Sequence, residues 1–431
     1  MTRSAKIILS MRLLEATLAI AKAHTSCSFL RTSLPSSPAG TGRRTVHVLV
    51  PLLREQARVT GLLDRWEKHL VAHGELLLVV LTTAREQAES EDGGHGTLQA
   101  LRVDGRLEAW SLAGRARHLH YPSFNRTYAE QVSWGVQRVR ARCTPEDYVL
   151  LVNADSRIDA DGMRELLACV AEGSECVQQS AVFLANFAQL GPLPAAEALL
   201  QSTWTIETEL FRYLAGSGAV RWLPRRLASV WYQHTVGHGS LISVGLLDRI
   251  GGFPNPPVGL EDSALGYLIR AQHRSVRPLR RLELADAPSS LRSLLRQRAT
   301  WVRGPLGALG YRPASSHERL LVAQALYNGG RWALTLPAIC TEILLLGRRS
   351  RLLWALMFLA RRYTTLTLML RSLPGFSDYG LEEPPARKLA VAVCLYPVAV
   401  LSYGAGGLRG ALEMLSEWVT GNPRIQPRTD G

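Results

Sequence analysis

The chain has 431 residues, enough for one large or two medium domains with ample core, and is 47% hydrophobic and 20% charged. Its net charge of +14 is carried almost wholly by arginine, lysine occurring only at Lys6, Lys22, Lys68 and Lys388, and that balance selects anionic partners. The basic residues are dispersed rather than interleaved with aromatics, which argues against a nucleic-acid partner, and the six cysteines lack metal-type spacing and read as reduced, mostly buried thiols in a chain whose working part faces the cytoplasm.

In chain order, the run from Ile7 to Ala21 predicts an amphipathic helix, too short and too charged at Arg12 and Glu15 to span a bilayer. No clean signal-peptide cleavage site follows Met1–Ala23. A Ser/Pro/Gly linker covers Ser33–Thr41, and the folded domain is expected from Arg43. Strand and helix patterns then alternate. Val46–Val50 reads as a strand, Glu55–Val71 as a helix and Glu75–Leu81 as a strand. Leu107–Ser111 follows, then a helix over Tyr128–Arg140 and a strand from Tyr148. That order predicts βαβ units and a mainly parallel sheet. No Gly-x-Gly-x-x-Gly follows the first strand, which weakens a dinucleotide-binding reading.

Past Leu320 come three apolar segments, Trp332–Leu346, Leu352–Leu370 and Leu389–Leu408. The third runs twenty residues without a charge and is the clear span candidate. Glu342 interrupts the first and Arg361-Arg362 the second, leaving short spans, re-entrant pieces, interfacial helices or buried core helices open.

The stretch Tyr148-Val-Leu-Leu-Val-Asn-Ala-Asp155 ends a buried strand in Asn153 and Asp155, two apart and so on one face. The carboxylate is either an ordinary turn Asp or an oxygen ligand for a hard cation that also holds phosphates, placed where open α/β sheets bind ligands. Pro51 and Glu55 turn the first strand into a helix. Gly237-His238-Gly239-Ser240 permits close backbone approach to a ligand, and Glu261-Asp262 opens a helix. Asp262 is there either a helix cap or a general base. In Arg296–Gly304, Arg298 and Arg303 flank Trp301; this is a solvated face or a diphosphate and sugar contact.

Pro-x-x-x-Glu, an Asp-Ala-Asp-like strand end, a Gly-rich segment before Gly251-Gly-Phe-Pro254, Glu-Asp and Gln-x-x-x-Trp occur in that order. The series resembles the family 2 glycosyltransferases, above all the membrane-associated branch with cellulose and hyaluronan synthases. The resemblance covers Val46–Gly304, and Gln426–Thr429 is similar to a Pro-Arg-Thr sequence that follows the last span in some relatives.

The resemblance implies a GT-A fold, α/β with a mainly parallel sheet, followed by hydrophobic C-terminal helices. The segments expected are 1–42, an N-terminal amphipathic piece and linker; 43–315, the catalytic domain; and 316–431, a membrane-associated helical region. It implies a nucleoside-diphosphate sugar donor and a Mg²⁺ or Mn²⁺ ion at Asp155. Donor contacts would come from Pro51, Glu55, Arg126, Asn153, Asp155, Gln297, Arg298, Trp301 and Arg303, and acceptor contacts from His238, Gly239 and Ser240. Asp262, with Glu261, would be the base for inverting transfer to a glycan or lipid-linked acceptor. The expected setting is membrane lipid at a bacterial inner membrane, with a cytoplasmic active site. Asn153 stands where the family has the first acid of its pair, and Thr300 where it has Arg. These departures motivate an alternative, a weakened nucleotide-sugar-binding membrane scaffold. A processive polysaccharide synthase is the other.

Overall fold

The computed structural model describes residues 2–33, 44–86, 96–123, 127–256, 259–373, 375–379 and 381–420. They belong to two compact units. A sheet unit comprises Leu34–Ser180 and Gln233–Glu283, and a helical unit comprises Met1–Ser33, Ala181–Tyr232 and Leu284–Gly431. The two compact units thus interleave along the chain.

In the sheet unit seven strands form one sheet: β1 Val46–Pro51, β2 Leu76–Thr83, β3 Ala116–Tyr121, β4 Tyr148–Leu151, β5 Cys176–Gln178, β6 Ser240–Ser243 and β7 Arg277–Pro278. Their order is β3-β2-β1-β4-β6-β5-β7. All neighbours are parallel except β6, which runs antiparallel to both β4 and β5. The α/β architecture with a mainly parallel sheet is therefore present.

β1 is buried at every position and β4 likewise, the pattern of central strands covered on both faces. Val48, Val50 and Leu150 pack in one core with Leu62, Leu63 and Trp66 of the helix Val59–Ala72 and with Met163 and Leu166 of Ala160–Ala171. Helix Tyr128–Arg140 matches its predicted bounds because Thr127 and Glu130 form a capping box before it. Leu107–Ser111 lies inside the helix Arg106–Leu112, and the third strand is the more polar segment that follows.

The helical unit is built on Arg3–Leu30, Pro192–Trp204, Leu291–Leu306, Ser316–Ala333, Thr335–Leu345, Arg348–Leu370 and Ala386–Thr420. The last is long and apolar enough to cross a membrane by length and composition, with about a third of its most apolar window buried. Small residues seat it: a Cβ on Gly410 would stand 2.3 Å from the Ala299 carbonyl, and one on Gly406 2.4 Å from the Arg298 Cβ. Ser402 donates to Glu197, and Arg303 pairs with Glu417, so the helix carries polar ties along its length.

Candidate active site at one edge of the sheet

The strand order reverses between β1 and β4: β2 and β3 extend to one side of β1, β4 to the other. Open α/β sheets bind ligands beyond the carboxyl ends of the strands at such a point. Leu49 pairs with Leu151, and the Val152 N–H donates to the Leu49 carbonyl at 3.1 Å. Two residues on, Pro51 and Asn153 come level at the edge. Asn153 and Ser156 close a turn there, the Asn153 N–H donating to Ser156 Oγ at 3.0 Å and the Ser156 N–H to the Asn153 carbonyl at 3.2 Å. Helix Val59–Ala72 holds this loop, with Arg65 Nη2 donating to the Ala154 carbonyl at 2.6 Å and His69 Nε2 standing 2.9 Å from that of Ile158.

Three acids follow β4, and two are already engaged. Asp159 caps the helix Ala160–Ala171 through the Gly162 N–H and pairs with Arg281. Asp161 pairs with Arg164 at 2.9 Å. The half-buried Asp155 carboxylate makes no hydrogen bond or ion pair to the described residues. Beside it, Asn153 Oδ1 accepts from the Tyr128 hydroxyl at 3.3 Å. One carboxylate and one amide oxygen suit Mg²⁺ or Mn²⁺, which take oxygen ligands and keep positions for phosphates and water. The residues present fit such an ion. Glu55 is less available: its backbone N–H donates to Thr97 and its carboxylate pairs with Arg58 at 3.0 Å.

Because β6 is antiparallel, its first residue lies at the edge where β4 ends. Ser240 stands opposite both Leu151 and Gln178, so Gly239 and His238 emerge beside the Asn153 loop. Gln178 fixes this segment. Its amide N–H donates to the His238 carbonyl at 2.7 Å, and its Oε1 accepts from the Ser240 hydroxyl at 2.6 Å and the Val236 N–H at 3.1 Å. Gly239 has φ +65°, and a Cβ there would stand 2.6 Å from the Gln179 carbonyl, so only glycine fits. His238 Nδ1 lies 3.1 Å from Oε2 of the fully buried Glu283.

The helix Glu261–Ala271 is pressed onto the same segment. Gly266 makes this possible, since a Cβ would come within 2.4 Å of the His234 Cα and 2.5 Å of the Gln233 carbonyl. The Thr235 hydroxyl donates to the Asp262 carbonyl at 2.8 Å, and a Cβ on Gly237 would stand 3.7 Å from Glu261 Oε1. Leu260 occupies the cap position, so Asp262 is not the cap; its carboxylate accepts from the next residue, Ser263, whose N–H stands at 2.5 Å. Burial, and then the neighbouring Glu261 charge, push the Asp262 carboxyl up to about 8, while Ser263 and His238 act in the opposite direction. A carboxyl tuned in this way suits a base working near neutral pH.

The sheet unit therefore brings together Pro51, Asn153, Asp155, His238, Gly239, Ser240, Glu261 and Asp262 at one edge. Sequence reasoning missed Gln178 and Glu283, buried polar residues whose partners appear only once β6 is in place. Arg126 lies outside the described residues, as does Gln426–Thr429. Gln297, Arg298, Trp301 and Arg303 lie on Leu291–Leu306 of the helical unit. Arg298 is 2% exposed, bonds to Gln201 and Glu197 and covers the Trp301 and Tyr403 rings. Arg303 is held by Glu417, and Trp301 packs on Phe183. Both guanidinium groups thus have partners inside their own unit, while the Arg298 Nε–H is buried without an acceptor among the described residues.

His47, Cys143 and Asp147 form the one cluster of potential metal ligands among the described residues, their ligand atoms lying within 4.8 Å of one another. It sits at the opposite edge, where β1 and β4 begin. Asp147 there accepts from the backbone of Thr45 and Thr144, each at 2.8 Å, which makes it a strand-entry clasp rather than the ion site expected at Asp155.

No protein-family model matches the sequence, and no curated protein does. Among solved structures the chain is similar to a mannosyltransferase, PcManGT from Pyrobaculum calidifontis, in complex with GDP-Man and Mn²⁺. The TM-score is 0.49 at 16% identity, covering 94% of this chain and 99% of that one. It is also similar to S. aureus TarS 1–349 in complex with UDP-GlcNAc, with a TM-score of 0.39 at 13% identity, covering 88% and 92%.

Proposed function

We propose that the protein is an inverting glycosyltransferase that moves a sugar from a nucleoside-diphosphate sugar to a hydroxyl of a lipid-linked or membrane-proximal glycan. The observation that carries this reading is the antiparallel β6. By beginning at the edge where β4 finishes, it gathers a carboxylate without a partner among the described residues, Asp155, and a carboxyl of raised pKa, Asp262. The ordered sequence motifs support the same reading.

Asp262 takes the proton of the acceptor hydroxyl as its oxygen attacks the anomeric carbon, and the bond to the diphosphate breaks on the opposite face of the sugar. His238, Gly239 and Ser240 present backbone and an imidazole to the acceptor. Asp155 and Asn153 would hold the cation, which, when bound, would neutralise charge developing on the leaving diphosphate.

A membrane setting is supported by the apolar residues that the helical unit exposes. Ile7, Met11, Leu13 and Leu14 on Arg3–Leu30, and Leu415, Trp418 and Val419 on Ala386–Thr420, are all more than half exposed. The reading is tested by screening nucleotide sugars for binding with Mn²⁺ present and weighing the product made on candidate acceptors. A single added hexose on a glycolipid supports it; a long polymer favours the processive alternative, and binding without turnover the scaffold.

A further inference from the structure

The helical unit holds a second concentration of charge, away from any motif. The chain from Thr205 to Gly216, a π-helical stretch continued as α-helix, carries Glu207, Glu209, Phe211 and Arg212. Helix Arg3–Leu30 brings Lys22, whose ammonium stands 5.6 Å from the Phe211 ring centre. Helix Arg348–Leu370 brings Arg361, which donates to Glu207 at 2.6 Å, and the adjacent Arg362, which lies 5.5 Å over Phe358. Lys22, Arg361 and Arg362 thus act on the one buried carboxylate of Glu207, an excess of two positive charges; Arg212 and, from an exposed position beside Glu15, Arg331 add their fields at Lys22.

The excess is not neutralised by the described residues. Lys22 and Arg362 make no hydrogen bond or ion pair to them, and the Nε–H groups of Arg361 and Arg362 are buried without an acceptor. Burial alone would raise the Glu207 carboxyl, yet Arg361, Arg362 and Lys22 outweigh it and hold the group below its ordinary value. Burial pulls the Lys22 ammonium down to about 8. Buried cations without acceptors are unfavourable, and adjacent guanidinium groups match the oxygens of a tetrahedral oxyanion.

We propose that Lys22, Arg361 and Arg362, with Arg212 behind them, form a binding site for a phosphate-type anion, either free or as the headgroup of a lipid. The exposed apolar side chains of the helix that carries Lys22 are compatible with a lipid source. The site uses none of the residues of the transfer site and does not depend on that function.

The test uses the full-length protein with Lys22→Gln and Arg362→Gln as separate variants. One arm titrates inorganic phosphate against chloride at equal ionic strength and reads thermal melting. The other reads sedimentation with vesicles of phosphatidylcholine alone or with about one third phosphatidylglycerol. Phosphate or anionic vesicles should bind the wild type, and each variant should bind about tenfold more weakly, the loss of one charge-assisted hydrogen bond. Stabilisation by phosphate identifies a free anion; a response to anionic vesicles alone identifies a headgroup. Without ligand, Arg362→Gln should melt no lower than wild type, because it removes a half-buried cation whose Nε–H lacks an acceptor among the described residues. A clear drop would mean that Arg362 is a structural cation and would overturn the proposal. So would wild-type binding by both variants, or no response in either arm.

Discussion

Asp262, the proposed base, would tie catalysis to stability at a single carboxyl. Its pKa is raised in the fold, first by burial and then by Glu261, so the folded chain keeps this proton where the unfolded chain has lost it. Its contribution to stability is therefore complete below the ordinary carboxylate range and is lost as pH rises toward about 8. Asp262→Asn has no proton to lose. Its melting temperature should exceed that of the wild type by a margin that widens from about pH 5 to about pH 8, read in parallel thermal melts. The same substitution should lower kcat on the order of 10³-fold with donor affinity little changed. The wild-type rate should climb with pH through the raised pKa, since the base works only when ionised. A variant with comparable turnover would remove the base assignment.

At the scale of elements, the decisive contact is the helix Glu261–Ala271 against the segment 233–237. Gly266→Ala would drive a methyl into the backbone of Gln233 and His234 and force the helix outward. The expected result is a loss of about 1–3 kcal/mol in chemical unfolding, together with a fall in kcat because Asp262 is carried on that helix. Unchanged stability and activity would show that the helix is not held in this way. Much of this framework was readable from the chain. Val46–Pro51, Tyr128–Arg140 and Tyr148–Leu151 carry strong apolar periodicity or a capping box, and their predicted bounds hold within a residue or so. Ala116–Tyr121 was not readable, since Arg117, His118 and His120 mask it, while Leu107 and Trp110 beside it mimic a strand inside a helix that Gly105 starts at φ +74°. β5 and β7, three and two residues long, are too short to show a period. Gln178 and Glu283 escaped for a different reason. Their roles depend on β6 returning beside β4 from some ninety residues away, and no local pattern encodes that pairing.

For the whole molecule, the proposed membrane setting would use both the excess of arginine and the exposed apolar side chains of the helical unit. Anionic headgroups would attract the first, and acyl chains would take up the second. The protein should therefore sediment with anionic vesicles, and part of that binding should survive about 0.5 M salt, because apolar insertion is not screened. Complete release by salt would reduce the association to charge alone.

The central claim is that the edge carrying Asp155 and Asp262 binds a cation-bridged diphosphate through the first and deprotonates an acceptor with the second. Calorimetric titration of a nucleoside diphosphate with and without Mn²⁺, into wild type, Asp155→Ala and Asp262→Asn, tests it most directly. The account predicts Mn²⁺-dependent binding by the wild type, at least about tenfold weaker in Asp155→Ala and nearly unchanged in Asp262→Asn. Binding that ignores Mn²⁺, or that is equal in wild type and Asp155→Ala, would contradict it.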